Sequence, residues 1–314
     1  MPERVVIFGA GATGRGHIGP LCAQAGLEVM FVDRNPEIVR VLQDSGCYRV
    51  RVVGSRTQEF TVKPARVYHH LERSRIAQEI LGAALVLTAV FPENLPDVAE
   101  TIAISVKVCR EGGRSQPINC IACENMADSS TALGSHTRRL LEGADCRYAD
   151  AWFGFPDCMI SRVVPRPEAD PLFLITEDYN EWTTARESFL GPKPSGLDVL
   201  ELVDNQPARL ERKLMIHNGG HAVCGYMGFH RGHRYIHEAV ADPMVAQAVG
   251  GALNEAGEVI QRRHGFSAES IEAYKQDLGR RGSIAEMRDE VLRVVRDPVR
   301  KLSRRERLIG PASL

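Results

Sequence analysis

Lys213, Asn218 and His221 stand within one short stretch, Glu211-Arg212-Lys213-Leu214-Met215-Ile216-His217-Asn218-Gly219-Gly220-His221-Ala222. A lysine taken out of water near other cations has a lowered pKa and can act as a general base. An asparagine amide and an imidazole N–H can donate to an oxygen on which negative charge develops. Together the three suit oxidation of a carbinol whose hydride leaves for a nicotinamide, chemistry that requires no metal. On an α-helix they fall at about 0°, 140° and 80° of the wheel, on one side but over a broad arc. A helix face that meets solvent carries the same residue types, and spacing alone favours that plainer reading.

The second suggestive stretch is Gly9-Ala10-Gly11-Ala12-Thr13-Gly14, which fits G-x-G-x-x-G. The first glycine permits a tight turn, the second lets backbone approach a pyrophosphate, and the third lets a helix pack against a strand. The N–H groups and positive dipole end of the helix that starts here suit phosphate. Asp33, nineteen positions after Gly14, suits the adenosine ribose hydroxyls. A 2′-phosphate would meet a like charge there, so NAD is expected rather than NADP, although the adjacent Arg34 could pair with such a phosphate. The candidate cofactor residues are therefore Gly9, Gly11, Ala12, Thr13, Gly14, Asp33 and Arg34.

These residues need particular elements to place them. Val5 to Phe8 reads as a strand that ends in the glycines, a helix follows from about Gly14 to Ala25, and Leu27 to Val32 is the next strand, ending at Asp33. That is a β-α-β unit. Tyr48 to Val53 and Glu59 to Val62 look like a hairpin. Leu85 to Val90 and Ile118 to Cys123 read as buried parallel strands, because the first is apolar without alternation. Met159 to Val164 and Leu172 to Thr176 are expected as the last strands of the same sheet. Gly191-Pro192-Lys193-Pro194-Ser195-Gly196 signals a linker. Beyond it the pattern is helical over Ala208 to Gly228, Ile236 to Arg263, Ala268 to Leu278 and Ile284 to Val295. The expected architecture is an α/β Rossmann-type dinucleotide-binding domain over residues 1–190, followed by a mainly α-helical substrate domain over residues 191–314.

Four segments carry a family resemblance. They are Gly14-Arg15-Gly16-His17-Ile18-Gly19, Ile121-Ala122-Cys123-Glu124-Asn125-Met126, Lys213-x4-Asn218-x2-His221, and Arg293-Val294-Val295-Arg296-Asp297-Pro298-Val299-Arg300-Lys301-Leu302. In this order, over nearly the whole chain, they resemble the polyol-specific long-chain dehydrogenase/reductase family. The resemblance implies an NAD-dependent, metal-independent oxidoreductase that interconverts a polyol or polyol phosphate with its ketose, its active site in the cleft between the domains. It implies Lys213 as general base or acid, Asn218 and His221 as the oxyanion-stabilising pair, Asn125 as a holder of substrate hydroxyls, and Arg300 and Lys301 as cations in reach of a substrate phosphate or distal hydroxyl. The chain departs from the family pattern at Ser161, where an aspartate is usual, and ends at Leu314, where members continue with a further helical segment. The exact substrate stays open: an unphosphorylated polyol or a hexuronate is the alternative within the family, and a catalytically silent NAD-binding sensor is the alternative outside it.

Composition excludes other classes. The 314 residues are 44% hydrophobic and 25% charged with a formal net charge of −1, ordinary globular values without the basic excess that nucleic-acid binding needs. No secretory signal follows Met1-Pro2-Glu3-Arg4, and the longest apolar stretch, around residues 80–91, is short of a membrane span. Eight scattered cysteines read as reduced thiols of a cytoplasmic protein. Cys120 and Cys123 would face opposite sides of a strand, and His230, His233 and His237 lack a completing ligand, so no metal is expected. His217 reads as a structural neighbour of the cluster.

Overall fold

A computed structural model of the chain describes residues 3–167, 169–304 and 306–314. It divides into two compact units: the chain through Gln206 apart from Val53–Ser55, and Pro207–Leu314 together with Val53–Ser55. The first unit runs β1 (Arg4–Phe8), α1 (Gly19–Gln24), β2 (Glu28–Asp33), α2 (Pro36–Ser45), β3 (Tyr48–Val53), β4 (Gln58–Val62), β5 (Arg66–His69), α3 (Arg73–Leu81) and β6 (Ala83–Thr88). It continues through α4 (Leu95–Glu111), β7 (Ile118–Ala122), α5 (Ser129–Arg138), α6 (Gly143–Trp152), β8 (Phe153–Gly154), β9 (Cys158–Ser161), β10 (Phe173–Glu177), β11 (Glu181–Ala185) and β12 (Leu200–Val203).

Six strands form one parallel sheet in the order β5-β2-β1-β6-β7-β8. The order reverses between β1 and β6, the switch point at which such sheets open a crevice for ligands. Alternate residues of β1 serve two cores. Val5 and Ile7 pack with Val29, Phe31, Leu85 and Leu87 on one face, and Val6 and Phe8 with Met30, Val32 and Val86 on the other. Burial on both faces explains why these strands are apolar without alternation. α2 shows how local sequence sets an element: the Asn35 side chain accepts from the Glu37 N–H, Pro36 occupies the first turn, and Gly46 ends the helix at φ +64°.

Residues 159–164 and 172–176 do not extend this sheet, contrary to expectation. β9 pairs antiparallel with β11 in a sheet ordered β12-β11-β9, and β10 joins the β3–β4 hairpin. Their residues Ile160, Leu174 and Trp182 cover the same apolar core as Val5 and Ile7. Apolar content marked them as strands, but pairing partners are a tertiary choice.

The second unit holds α7 (Gln206–Arg212), which begins at the unit boundary, α8 (Asn218–His230), α9 (Ile236–Ala241), α10 (Pro243–His264), α11 (Ala268–Gly282), α12 (Val291–Val294), α13 (Pro298–Lys301) and α14 (Ile309–Ala312). The helices expected over 236–263 and 284–295 are each interrupted. Asp242 is extended and its carboxylate caps α10, whose first residue, Pro243, has no N–H to continue α9. Between residues 284 and 295, Arg288 turns at φ +46° and Glu290 bridges back to Tyr235, leaving only α12 helical with a short 3-10 turn before it. Gly225 and Gly228 let α8 lie close to its neighbours: a Cβ at either would come within 2.6 Å of Val294 or 2.7 Å of Ala239. Among the described residues, no helix is long and apolar enough to cross a membrane.

At the carboxyl edge of the parallel sheet, β6 stops at Thr88 rather than at Val90. Glu124, buried just after β7, accepts from Thr88 Oγ1 at 2.8 Å and from the Val90 and Phe91 N–H groups at 2.8 and 2.9 Å. Burial pushes the Glu124 pKa up, opposed by these donors. The clamp holds Phe91 at φ 71° and ψ 147°, a conformation nearly reserved for glycine, in a residue that is 65% exposed. Phe91→Gly should therefore stabilise the fold: relief of about 1–3 kcal/mol of strain outweighs roughly 0.5–1 kcal/mol of added chain entropy. Circular dichroism should record a melting temperature raised by roughly 2–4 °C, and an unchanged or lower value would contradict the strain.

Candidate active site

The glycines of the loop after β1 divide their work. Gly9 has φ +99°, and a Cβ there would lie 2.2 Å from the Ala89 carbonyl oxygen. A Cβ at Gly14 would lie 1.9 Å from the Gly9 oxygen, whereas one at Gly11 would meet nothing within 4 Å. Turn, close packing and open approach thus fall to the first, third and second glycines, and the bare side at Gly11 fits a pyrophosphate. Helical residues begin at Ala12 and Thr13, so their first-turn N–H groups lack intrahelical partners. Residues 14–18 then form a π-turn, in which the Gly19 N–H reaches the Gly14 carbonyl.

Two side chains brace this loop. Asp33 accepts the Ala10 N–H on Oδ2 at 2.6 Å and the Asn35 N–H on Oδ1 at 2.8 Å. A carboxylate has about four acceptor positions, so ribose hydroxyls still fit. The buried Arg15 donates from Nε to the Ala10 carbonyl at 2.5 Å and from its guanidinium to the Pro171 carbonyl; burial lowers its pKa, opposed by the charges of Tyr48, Asp33 and Asp170. Arg34 donates to Asn94 Oδ1 at 2.7 Å. Asn125 is exposed, one residue beyond Glu124.

In the second unit, Lys213–His217 form another π-turn, closed by a hydrogen bond from the Asn218 N–H to the Lys213 carbonyl. The wheel drawn for an α-helix therefore does not apply. A bond from residue i+5 to residue i sets Lys213 and Asn218 one turn apart, instead of roughly 140° round the axis. Single π-turns of this kind recur at functional sites. Lys213 and His217 are buried, and Asn218 and His221 are partly so. The His217 and His221 rings lie 6.0 Å apart. Burial drives the His217 pKa well below its ordinary value, and Arg281, His221, Lys213 and Arg293 add to that shift, so His217 is neutral.

Asp289 is buried within this group of cations. Its Oδ2 lies 3.1 Å from His221 Nε2, and Arg293 grips both oxygens at 2.7 Å. Burial works to raise its pKa, yet the His221 and Arg293 contacts outweigh that and hold it well below the usual carboxylate range. Its backbone is fixed as well, because the Asp289 carbonyl accepts the Ile236 N–H at 2.9 Å.

Arg300 and Lys301 are engaged locally. Arg300 pairs with Asp297 at 2.5 Å and with Glu306 at 3.0 Å. Lys301 is buried and donates to the Val294 carbonyl; burial lowers its pKa. Among the described residues, no group of three His, Cys, Asp or Glu side chains converges to hold a metal. The expectation of a structural His217 beside the cluster stands next to what sequence reasoning left without a role: Glu124 and Arg293, quoted only within longer segments, and Asp289, not singled out at all. A glutamate closing an apolar strand was a signal for Glu124. Asp289 gave none, since its partners converge on it only in space.

Two family descriptions match the chain: the mannitol dehydrogenase Rossmann domain over residues 3–195 and the mannitol dehydrogenase C-terminal domain over residues 208–313. Mannitol-1-phosphate 5-dehydrogenase of Geobacillus stearothermophilus is 36% identical over 310 residues, covering 98% of this chain and 81% of the relative. The Brevibacillus brevis protein of the same name is 36% identical over 308 residues, covering 98% and 79%. Among solved structures, Pseudomonas fluorescens mannitol 2-dehydrogenase in ternary complex with NAD and D-mannitol superposes with a TM-score of 0.80 at 15% identity, over 94% of this chain and 71% of that one. D-sorbitol dehydrogenase in substrate-free form gives 0.81 at 14% identity, over 96% and 74%. At such identities these two speak for the fold: a parallel-sheet Rossmann domain followed by a mainly helical domain. With family matches on both halves and curated relatives aligned along nearly its full length, the chain belongs to the mannitol dehydrogenase family.

Proposed function

We propose that this protein interconverts a polyol phosphate of the mannitol 1-phosphate type and the corresponding ketose phosphate with NAD. The observation that carries this reading is the 36% identity, over 98% of the chain, to proteins named mannitol-1-phosphate 5-dehydrogenase. NAD, when bound, supplies the hydride acceptor for alcohol oxidation. Gly9, Gly11, Ala12, Thr13 and Gly14 would hold its pyrophosphate, and Asp33 its adenosine ribose. Lys213, buried in the second unit, takes the hydroxyl proton onto Nζ as general base. Asn218 and His221 support the negative charge that develops on oxygen, and Asn125 positions the remaining hydroxyls. In ketose reduction Lys213 returns the proton.

Arg300 and Lys301 remain candidates for the phosphate, but the reading does not rest on them, because Asp297, Glu306 and the Val294 carbonyl already engage both. A panel of mannitol 1-phosphate, mannitol, sorbitol and hexuronates, read as NADH absorbance, tests the substrate class. Turnover of neutral polyols alone would replace this reading with that of an unphosphorylated-polyol dehydrogenase.

Lys213→Ala should lower kcat by about 10²–10⁴-fold, the usual contribution of general acid–base catalysis. NAD should still bind, since the loop after β1 is untouched. A variant with normal turnover would remove the lysine from the chemistry.

Asp33→Ala should narrow the preference for NAD over NADP, and it should weaken NAD itself because the Ala10 N–H loses its acceptor. Fluorescence titration with both cofactors reads the two effects. Equal affinities in the unaltered protein would strip Asp33 of its selective role.

Arg300→Ala should lower the melting temperature by about 1–2 °C and shift KM for mannitol 1-phosphate and mannitol alike. A rise confined to the phosphorylated substrate would instead make Arg300 a phosphate contact.

A further inference from the structure

His221 is held by one ring nitrogen, and which nitrogen it is matters. Nε2 faces Asp289 Oδ2 at 3.1 Å. An ionised carboxylate accepts hydrogen bonds and donates none, so the proton of His221 sits on Nε2. Nδ1 has no hydrogen-bond partner among the described residues. We propose that Asp289 is a positioning residue for the reaction: it commits Nε2 of His221 and leaves Nδ1 as the ring nitrogen that serves the reacting oxygen. The proposal rests on the reading of His221 given under the proposed function and refines it.

The geometry around Asp289 supports a dedicated mount. The Asp289 side chain is 9% exposed, so its contacts are little diluted by water. Arg293 engages both oxygens through Nε and the guanidinium end at 2.7 Å, which sets the plane of the carboxylate and therefore the direction from which Nε2–H is accepted. The Asp289 main chain is pinned by the Ile236 N–H, and the Val291 N–H reaches the Arg234 carbonyl beside it at 2.9 Å. His221 itself lies one helical turn beyond the neutral His217, on the same helical run as Lys213 and Asn218.

The consequence is chemical. A neutral imidazole with its proton on Nε2 can only accept at Nδ1, whereas an imidazolium donates from both nitrogens. If His221 stabilises an alkoxide, it does so from Nδ1 as the cation, with Asp289 carrying the balancing charge. If it accepts the substrate hydroxyl, it does so neutral, with the same fixed orientation. In either case the ring is oriented by Asp289 rather than by substrate.

The test is a double-mutant cycle on the full chain, with His221→Ala, Asp289→Ala and the double variant, read with mannitol 1-phosphate and NAD. Asp289→Asn, which keeps volume and an acceptor oxygen, is the milder variant should Asp289→Ala fold poorly. We expect each Asp289 variant to lose kcat by about 10–100-fold, as loss of an orienting partner typically does, with the NADH dissociation constant unchanged. The double variant should be no slower than His221→Ala alone. Side-chain 15N NMR should show His221 as the Nε2–H form in the unaltered protein and a tautomer mixture in Asp289→Ala. Multiplying losses in the cycle, or an unchanged His221 spectrum in Asp289→Ala, would overturn the proposal. Full turnover in His221→Ala would also end it, and that single variant identifies the failure as belonging to the role of His221 rather than to its link with Asp289.

Discussion

A small helical unit that buries cations must balance them, and its acids share that duty: Glu306 takes Arg307, Asp277 lies near Arg281, and the buried Asp289 stands between Arg293 and His221. Arg212, Lys213, His217, Arg281, Lys301 and Arg307 are all buried in the C-terminal unit, and among its described residues Asp289 is the buried carboxylate. An unpaired charge out of water is costly, by several kcal/mol even after relaxation. The protein meets this by other means as well. Asp289 is ionised between Arg293 and His221, His217 gives up its charge, and Lys301 lays its ammonium on a main-chain carbonyl. The arrangement of Lys213, Asn218 and His221 sits inside this balance.

Both chemically suggestive segments contain the same backbone device. Gly14–Ile18 and Lys213–His217 each widen the helix by one residue, closing on bonds from Gly19 and Asn218. In the first case the widening follows the loop whose open side is at Gly11, and in the second it brings two side chains five residues apart into line. A π-turn weakens local packing relative to an α-helix, so its survival needs support from outside. Arg15 supplies it in the first unit through the Ala10 and Pro171 carbonyls. In the second, the chain directly after the turn lies close against the Arg307 carbonyl at Gly219 and against Leu253 at Gly220.

Carboxylates in the N-terminal unit hold backbone amides. Asp33 holds the Ala10 and Asn35 amides, and Glu124 holds the Val90 and Phe91 amides. These two acids define both edges of the switch point between β1 and β6. Removing either would leave the amides it accepts without a partner.

The sequence by itself determined the βαβ unit, its glycine loop and Asp33, because these are local: a strand, a turn and a helix start are written in consecutive residues. The hairpin of β3 and β4 and the change to helix after residue 200 were legible for the same reason, through periodicity and turn residues. Pairing was not. Nothing local tells Met159 to Ser161 or Phe173 to Glu177 which strand to lie beside, and tertiary packing gave them to two smaller sheets. The helical pattern over residues 236–263 hid a break that Asp242-Pro243 announces only weakly. At the candidate site, spacing placed Lys213, Asn218 and His221 near one another but on a wheel with the wrong turn, since a π-turn leaves no mark in apolar periodicity. The partner of His221 lies 68 residues further along. It is brought there by the bridge of Glu290 to Tyr235, and a contact across that separation is decided only when the chain has folded.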